Sequence, residues 1–206
     1  MTAAKICGIT RSEDALTAAR CGAHAVGFVF YRPSPRYIDP DEAASIVGAL
    51  PPFVTPVGLF VDAPADEVRA IVARSHVRLL QFHGSETPEF CNQFATPYMK
   101  AVRIRPEVDL LQYARQFEGA KALLLDAYQE GLHGGTGAVF DWDLIPPALP
   151  LPIVLSGGLT PANVIEAIRR VKPCAVDVSS GVESARGIKD ARKIEAFMNG
   201  VRNADV

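Results

Sequence analysis

Lys5-Ile6-Cys7-Gly8-Ile9-Thr10 is a short apolar run that holds one lysine and one cysteine. A glycine and a threonine close it, and a helical pattern begins at once. The run reads as a strand with Cys7 at its C-terminal end. Alternate residues of a strand share a face, so Lys5 and Cys7 point one way and Ile6 the other. An ammonium beside a thiol favours the thiolate, which is the reactive form. Taken alone, Cys7 fits a small buried hydrophobe better, and the rest of the chain decides between the two readings.

Outward from this run the same strand-then-helix unit repeats. Ala15, Leu16, Ala18 and Ala19 mark a helix over 11–20, ended by Cys21-Gly22. Residues 25–30 form a second strand, apolar on both faces as parallel strands are. A loop rich in Pro and Arg, 31–37, precedes a helix to about Leu50 with Asp39 as N-cap and Pro40 at its first position. Further strands are expected at 56–61, 79–82, 98–104, 122–126, 153–156 and 175–178. Helices are expected at 64–74, 87–94, 108–117, 161–171 (with Thr160 as cap) and 190–199. The stretch 127–139 holds Gly131, Gly134, Gly135 and Gly137 and is the longest irregular one. It reads either as a lid or as a loop lengthened by a degenerate sixth helix, with a short helix near 142–145. Eight such units in order, with no linker, predict a single (β/α)8 barrel domain over 1–206. A doubly wound open sheet would show five or six strands and a G-x-G-x-x-G after the first, which Cys7-Gly8-Ile9-Thr10 lacks.

A chain of 206 residues, 49% hydrophobic and 21% charged, is long enough for one sizeable core. Its net charge of −2, with basic residues scattered, offers no footprint for nucleic acid or an anionic membrane. No apolar run approaches the roughly 18 residues of a membrane span, and no basic segment leads into one. The chain reads as unexported and cytoplasmic. Cys7, Cys21, Cys91 and Cys174 form no C-x-x-C pair and read as reduced thiols. Neither they nor His24, His76, His83 and His133 show ligand spacing, so no metal is expected. Monomer and homodimer stay open, because helical faces buried in a dimer look like those packed on a barrel.

In a barrel the active site lies at the C-terminal ends of the strands. Cys7 ends the first, Arg36 lies in the loop after the second, and Asp62 and His83 follow the third and fourth. Arg103 and Arg105 close the fifth and Asp126 ends the sixth. Gly157-Gly158 follow the seventh, and Asp177 with Ser179, Ser180 and Gly181 ends the eighth. The two glycine loops let backbone N–H groups approach an anion closely and suggest a phosphate site; ordinary turns are the alternative. No helix starts near Asp126, so a cap is a poor reading; a plain surface residue is one alternative, and a partly buried carboxyl with a raised pKa, able to act as a general acid, is the other. Cys7 and Asp126 would flank a substrate from opposite sides of the ring, one taking a proton and the other giving one. Arg36 fits a substrate carboxylate or an ordinary loop arginine equally, and Asp62, Arg103 and Arg105 share that ambiguity. His83 reads as a polar contact in the site.

These residues fall into longer motifs. They are Lys5-Ile6-Cys7-Gly8-Ile9, Gly27-Phe28-Val29-Phe30 with Ser34-Pro35-Arg36-Tyr37, and Val57-Gly58-Leu59-Phe60-Val61. Leu80-Gln81-Phe82-His83-Gly84 and Leu125-Asp126 with Gly134-Gly135-Thr136-Gly137 come next. Leu155-Ser156-Gly157-Gly158-Leu159 and Val176-Asp177-Val178-Ser179-Ser180-Gly181-Val182-Glu183 complete the set. Over nearly its whole length the chain resembles the phosphoribosylanthranilate isomerase family, barrel enzymes of tryptophan biosynthesis. The resemblance implies an Amadori rearrangement of N-(5-phospho-β-D-ribosyl)anthranilate without metal or organic cofactor. It implies Asp126 as general acid at the ring oxygen, Cys7 as general base at C2′, Arg36 on the anthranilate moiety, and the phosphate at the last two loops. The related aminoimidazole-carboxamide isomerases carry an aspartate at the strand-one position and show two similar halves; this chain has Cys7 and no evident half-repeat. A non-catalytic phosphate-binding barrel would keep the glycine loops without needing a thiol opposite a carboxyl.

Overall fold

The computed structural model describes residues 1–105, 107–127 and 142–204. Eight parallel strands close into a barrel in sequence order. They are β1 (Ala3–Ile6), β2 (Ala25–Val29), β3 (Thr55–Phe60), β4 (Leu79–Phe82), β5 (Tyr98–Ile104), β6 (Leu123–Ala127), β7 (Ile153–Leu155) and β8 (Ala175–Val178). Closure is carried by β1, which pairs with β2 on one side and with β8 on the other, placing Lys5 in register with Asp177. Helices α1 (Ser12–Arg20), α2 (Pro40–Ala49), α3 (Ala65–Ser75), α4 (Pro88–Asn92), α5 (Leu110–Gln116), α6 (Val164–Val171) and α7 (Ala191–Ala204) connect them. Among the described residues a 3-10 turn at Trp142–Leu144 stands between β6 and β7, where the repeat would have a helix. The stretch 128–139, and with it the expected lid, lies outside the described residues.

Local chemistry sets the ends of these elements. Gly8 takes a left-handed φ of +73° and stops β1, yet the Cys7 N–H still donates to Val178 O at 2.8 Å. The thiol therefore sits at the C-terminal end of the strand, as expected. Asp39 and Thr87 cap α2 and α4 through Asp41 N and Phe90 N, each ahead of a proline. Two expectations move, and one element is new. The helix expected at 161–171 begins only at Val164, because Thr160 N donates to Asn163 Oδ1 at 2.8 Å and closes a turn first. The last helix runs to Ala204, since buried Gly200, Val201 and Ala204 continue its apolar stripe. A two-stranded hairpin, β9 (Glu183–Ala185) with β10 (Ile188–Lys189), follows β8 and had no clear signal.

Two apolar layers hold the barrel. Outside, strand and helix faces share one large core, in which Phe30, Phe60, Phe82 and Phe94 form a chain of ring contacts 5.5–6.3 Å apart. Inside, Val57, Met99, Ala101, Ala122, Leu124 and Val154 fill the barrel. Towards the C-terminal ends of the strands the inward positions turn polar, with Lys5, Gln81, Asp126 and Asp177 all buried. Among the described residues no helix is long and apolar enough to cross a membrane.

Candidate active site

A cavity of about 300 Å³ opens at the C-terminal ends of the strands. Cys7, Arg36, His83, Asp126, Gly157, Gly158, Asp177, Ser179 and Ser180 all line it. Gly181 is not on its wall. A Cβ there would run into the carbonyl oxygen of Leu159, so this glycine lets the loops after β7 and β8 touch. Gly157 and Gly158 take consecutive left-handed φ values of +84° and +66°, which only glycine adopts freely. Their backbone therefore curls over the rim with no side chain in the way. Arg103 lines this cavity and a neighbouring one of about 390 Å³, which Asp62 and Arg105 also border. Asp62 is occupied there, its Oδ1 accepting from Ser85 N at 2.6 Å.

The polar floor corrects one expectation. Lys5 and Cys7 converge as their shared strand face requires, and a Cβ at Gly27 would meet both. Lys5, however, is held in a buried ion pair with Asp177 at 2.8 Å. Burial pushes the Cys7 thiol above its ordinary range; Lys5 pulls it back only in part, and Asp177 opposes that pull. The thiol is thus harder to ionise than the sequence suggests, because the barrel takes it out of water. Burial would lower Lys5, but Asp177 and then Cys7 outweigh it and keep the ammonium charged. Lys5→Met is expected to raise the thiol further. The pH at which iodoacetamide alkylates Cys7, measured with the other three cysteines replaced by serine, should move upward. An unmoved inflection would remove Lys5 as a thiolate partner. The same change strands the Asp177 carboxylate and should cost about 3–5 kcal/mol in a denaturant melt.

Asp126 is buried at the end of β6, and its Oδ2 lies 3.1 Å from His83 Nε2. The other ring nitrogen of His83, Nδ1, lies 2.9 Å from Gln81 Nε2. The loop bearing His83 is itself pinned from below. Lys100 Nζ donates to Gly84 O at 2.6 Å and pairs with Glu86 at 2.9 Å, while Glu86 accepts from Asp62 N and Gly84 N. Across the cavity Arg36 donates from Nε and Nη2 to the two oxygens of Glu183, at 2.7 and 2.8 Å. Lys189 Nζ also reaches Glu183, at 2.9 Å, and donates to Ser179 O at 3.1 Å. Burial would raise the Glu183 carboxyl, but Arg36 and Lys189 overcome it and hold it below its usual range. Arg36 therefore stands beside the cavity as a fixed, paired cation rather than a mobile loop arginine.

Sequence reasoning missed Gln81, Glu183 and Lys189. Gln81 carried a signal, since it lies two residues before His83 on one strand face. Glu183 closes the last of the quoted motifs but gives no sign of its partner there, and Lys189 carried no signal, because their meeting depends on the β9–β10 hairpin.

A closed parallel barrel with a buried thiol, a buried carboxyl and a half-buried imidazole around one cavity at its C-terminal rim has the architecture of a (β/α)8 enzyme. The family model described as N-(5'phosphoribosyl)anthranilate (PRA) isomerase matches residues 4–200, and the chain belongs to that family. It is 62% identical over 197 residues to the N-(5'-phosphoribosyl)anthranilate isomerase of Nitrosospira multiformis, covering 96% of this chain and 95% of that one. The crystal structure of phosphoribosyl anthranilate isomerase from Thermotoga maritima superposes with a TM-score of 0.91 at 41% identity, covering 98% of this chain and 100% of that one. A phosphoribosyl anthranilate isomerase solved in complex with reduced 1-(o-carboxyphenylamino)-1-deoxyribulose 5-phosphate gives a TM-score of 0.84 at 39% identity, covering 98% of this chain and 100% of that one.

Proposed function

We propose that this barrel isomerises N-(5-phospho-β-D-ribosyl)anthranilate to 1-(2-carboxyphenylamino)-1-deoxy-D-ribulose 5-phosphate by general acid–base catalysis, as a step of tryptophan biosynthesis. The observation that carries this reading is the meeting of Cys7 and Asp126, from the ends of β1 and β6, on one cavity beneath the Gly157-Gly158 rim. Asp126 gives its proton to the furanose ring oxygen. The C1′–O bond breaks with its electron pair on oxygen, and the nitrogen lone pair closes a C1′=N bond. The Cys7 thiolate then takes the C2′ proton, and the C–H electron pair becomes C1′=C2′ as the iminium is neutralised. The resulting enolamine relaxes to the ketone product. Acid–base chemistry supplies every step, so no metal or organic cofactor is called for.

The phosphate is assigned to Gly157, Gly158, Ser179 and Ser180, with Gly181 holding the two loops together. Arg36, fixed by Glu183, faces the anthranilate carboxylate, and His83 and Asp177 complete the polar wall around the sugar. The chain is read as one cytoplasmic domain over 1–206, working on a small phosphorylated substrate as a monomer or homodimer. Mixed with the substrate at catalytic concentration, the protein should extinguish the substrate's fluorescence. Steady fluorescence together with tight binding of the reduced product would instead mark a binding protein or an enzyme for a neighbouring substrate.

A further inference from the structure

Gln81 is 1% exposed, and its Oε1 meets no hydrogen-bond partner among the described residues. An orphaned buried oxygen costs about 1–3 kcal/mol. A residue serving packing alone would avoid that cost as Leu or Met, so the amide has another use. Its Nε2 lies 2.9 Å from His83 Nδ1, and His83 Nε2 lies 3.1 Å from Asp126 Oδ2. A neutral imidazole has one N–H and one lone pair, so whatever occupies one nitrogen decides what the other offers. An amide N–H can only donate. Facing Nδ1, it keeps the lone pair there and the hydrogen on Nε2, aimed at the carboxyl.

We infer that Gln81 is a positioning residue, whose amide N–H fixes His83 as the Nε2–H tautomer so that His83 holds Asp126 Oδ2 and leaves Oδ1 to carry the acid proton. This rests on the reading of Asp126 as general acid. No described residue bonds Oδ1. As the Oδ1–H bond breaks and the proton passes to the ring oxygen, Asp126 becomes a carboxylate. The His83 hydrogen bond then becomes charge-assisted and strengthens. It is stronger after the transfer than before, which is the condition for accelerating the step. In the opposite tautomer the bare Nε2 would accept the Asp126 proton and draw it away from the substrate.

The test is a pair of variants with two readouts. Gln81→Met keeps the size and removes the donor; Gln81→Glu places an acceptor on Nδ1 and reverses the preference. Side-chain ¹⁵N–¹H correlation spectra, with the His83 signals assigned by their loss in His83→Asn, should show the Nε2–H form in wild type. They should show the Nδ1–H form or the doubly protonated ring in Gln81→Glu. kcat should fall about tenfold in Gln81→Met and further in Gln81→Glu, with KM little changed, as part of the 10²–10⁴ a positioned acid supplies. A wild-type Nδ1–H tautomer, or full kcat in Gln81→Met, would overturn the inference. Wild-type turnover separates the two levels. If wild type is active and Gln81→Met matches it, only the role of Gln81 falls; if wild type does not turn over, the isomerase reading falls.

Discussion

Asp126→Asn is expected to lower kcat by about 10³-fold, roughly 4 kcal/mol of transition-state stabilisation, with the reduced product analogue still bound. The substitution is chosen to isolate one proton. Asparagine keeps the shape of the side chain, and its carbonyl oxygen can still accept from His83 Nε2, 3.1 Å from the carboxylate oxygen it replaces. It has no acidic proton to give the ring oxygen, so the loss should fall on ring opening rather than on folding or affinity. Activity within about tenfold of wild type would remove Asp126 as the acid and leave His83, the nearest ionisable group, in its place.

Cys7→Ser is expected to have an effect at least as large, for a different reason. Burial holds the Cys7 thiol above its ordinary range, so thiolate is scarce at neutral pH, below even the few per cent of a free thiol. A serine hydroxyl in the same buried place is far less acidic again and cannot take a proton from carbon. A fall of about 10³-fold or more in kcat follows, with the analogue still binding. The two variants stop the reaction at different bonds. With Cys7→Ser, Asp126 still opens the ring, and borohydride should trap the open-chain imine as a reduced adduct. With Asp126→Asn the ring stays closed and no adduct should form. Equal trapping in both, or in neither, would break the division of labour between the two residues.

The second group of residues acts on these first ones. Lys5 and Asp177 set the charge beneath Cys7. Glu183 and Lys189 tie Arg36 and the Ser179 loop into one unit, and Lys100 with Glu86 pins the loop that begins at His83. All of these ions except the half-buried Arg36 are buried, so removing one partner leaves a buried charge with its pairing weakened or lost, and the cost falls on the geometry of the cavity.

The strand–helix order, the closed barrel it implies, and the chemical groups that gather at one end of the strands were all legible in the residues in order. These are local properties, because side-chain period, caps and breakers act over a few residues. They placed Cys7 and Asp126 at strand ends and Gly157-Gly158 on the rim, where the structure has them. The tertiary structure alone decided how those groups are tuned. Lys5 and Cys7 are near in sequence, but the thiol's raised pKa comes from burial inside the barrel and from Asp177, 172 residues away from Lys5. Arg36 meets Glu183 across 147 residues, and the His83–Asp126 contact spans 43. Desolvation and long-range pairing depend on which chain segments close around a group, and a reading of neighbouring residues carries no measure of either.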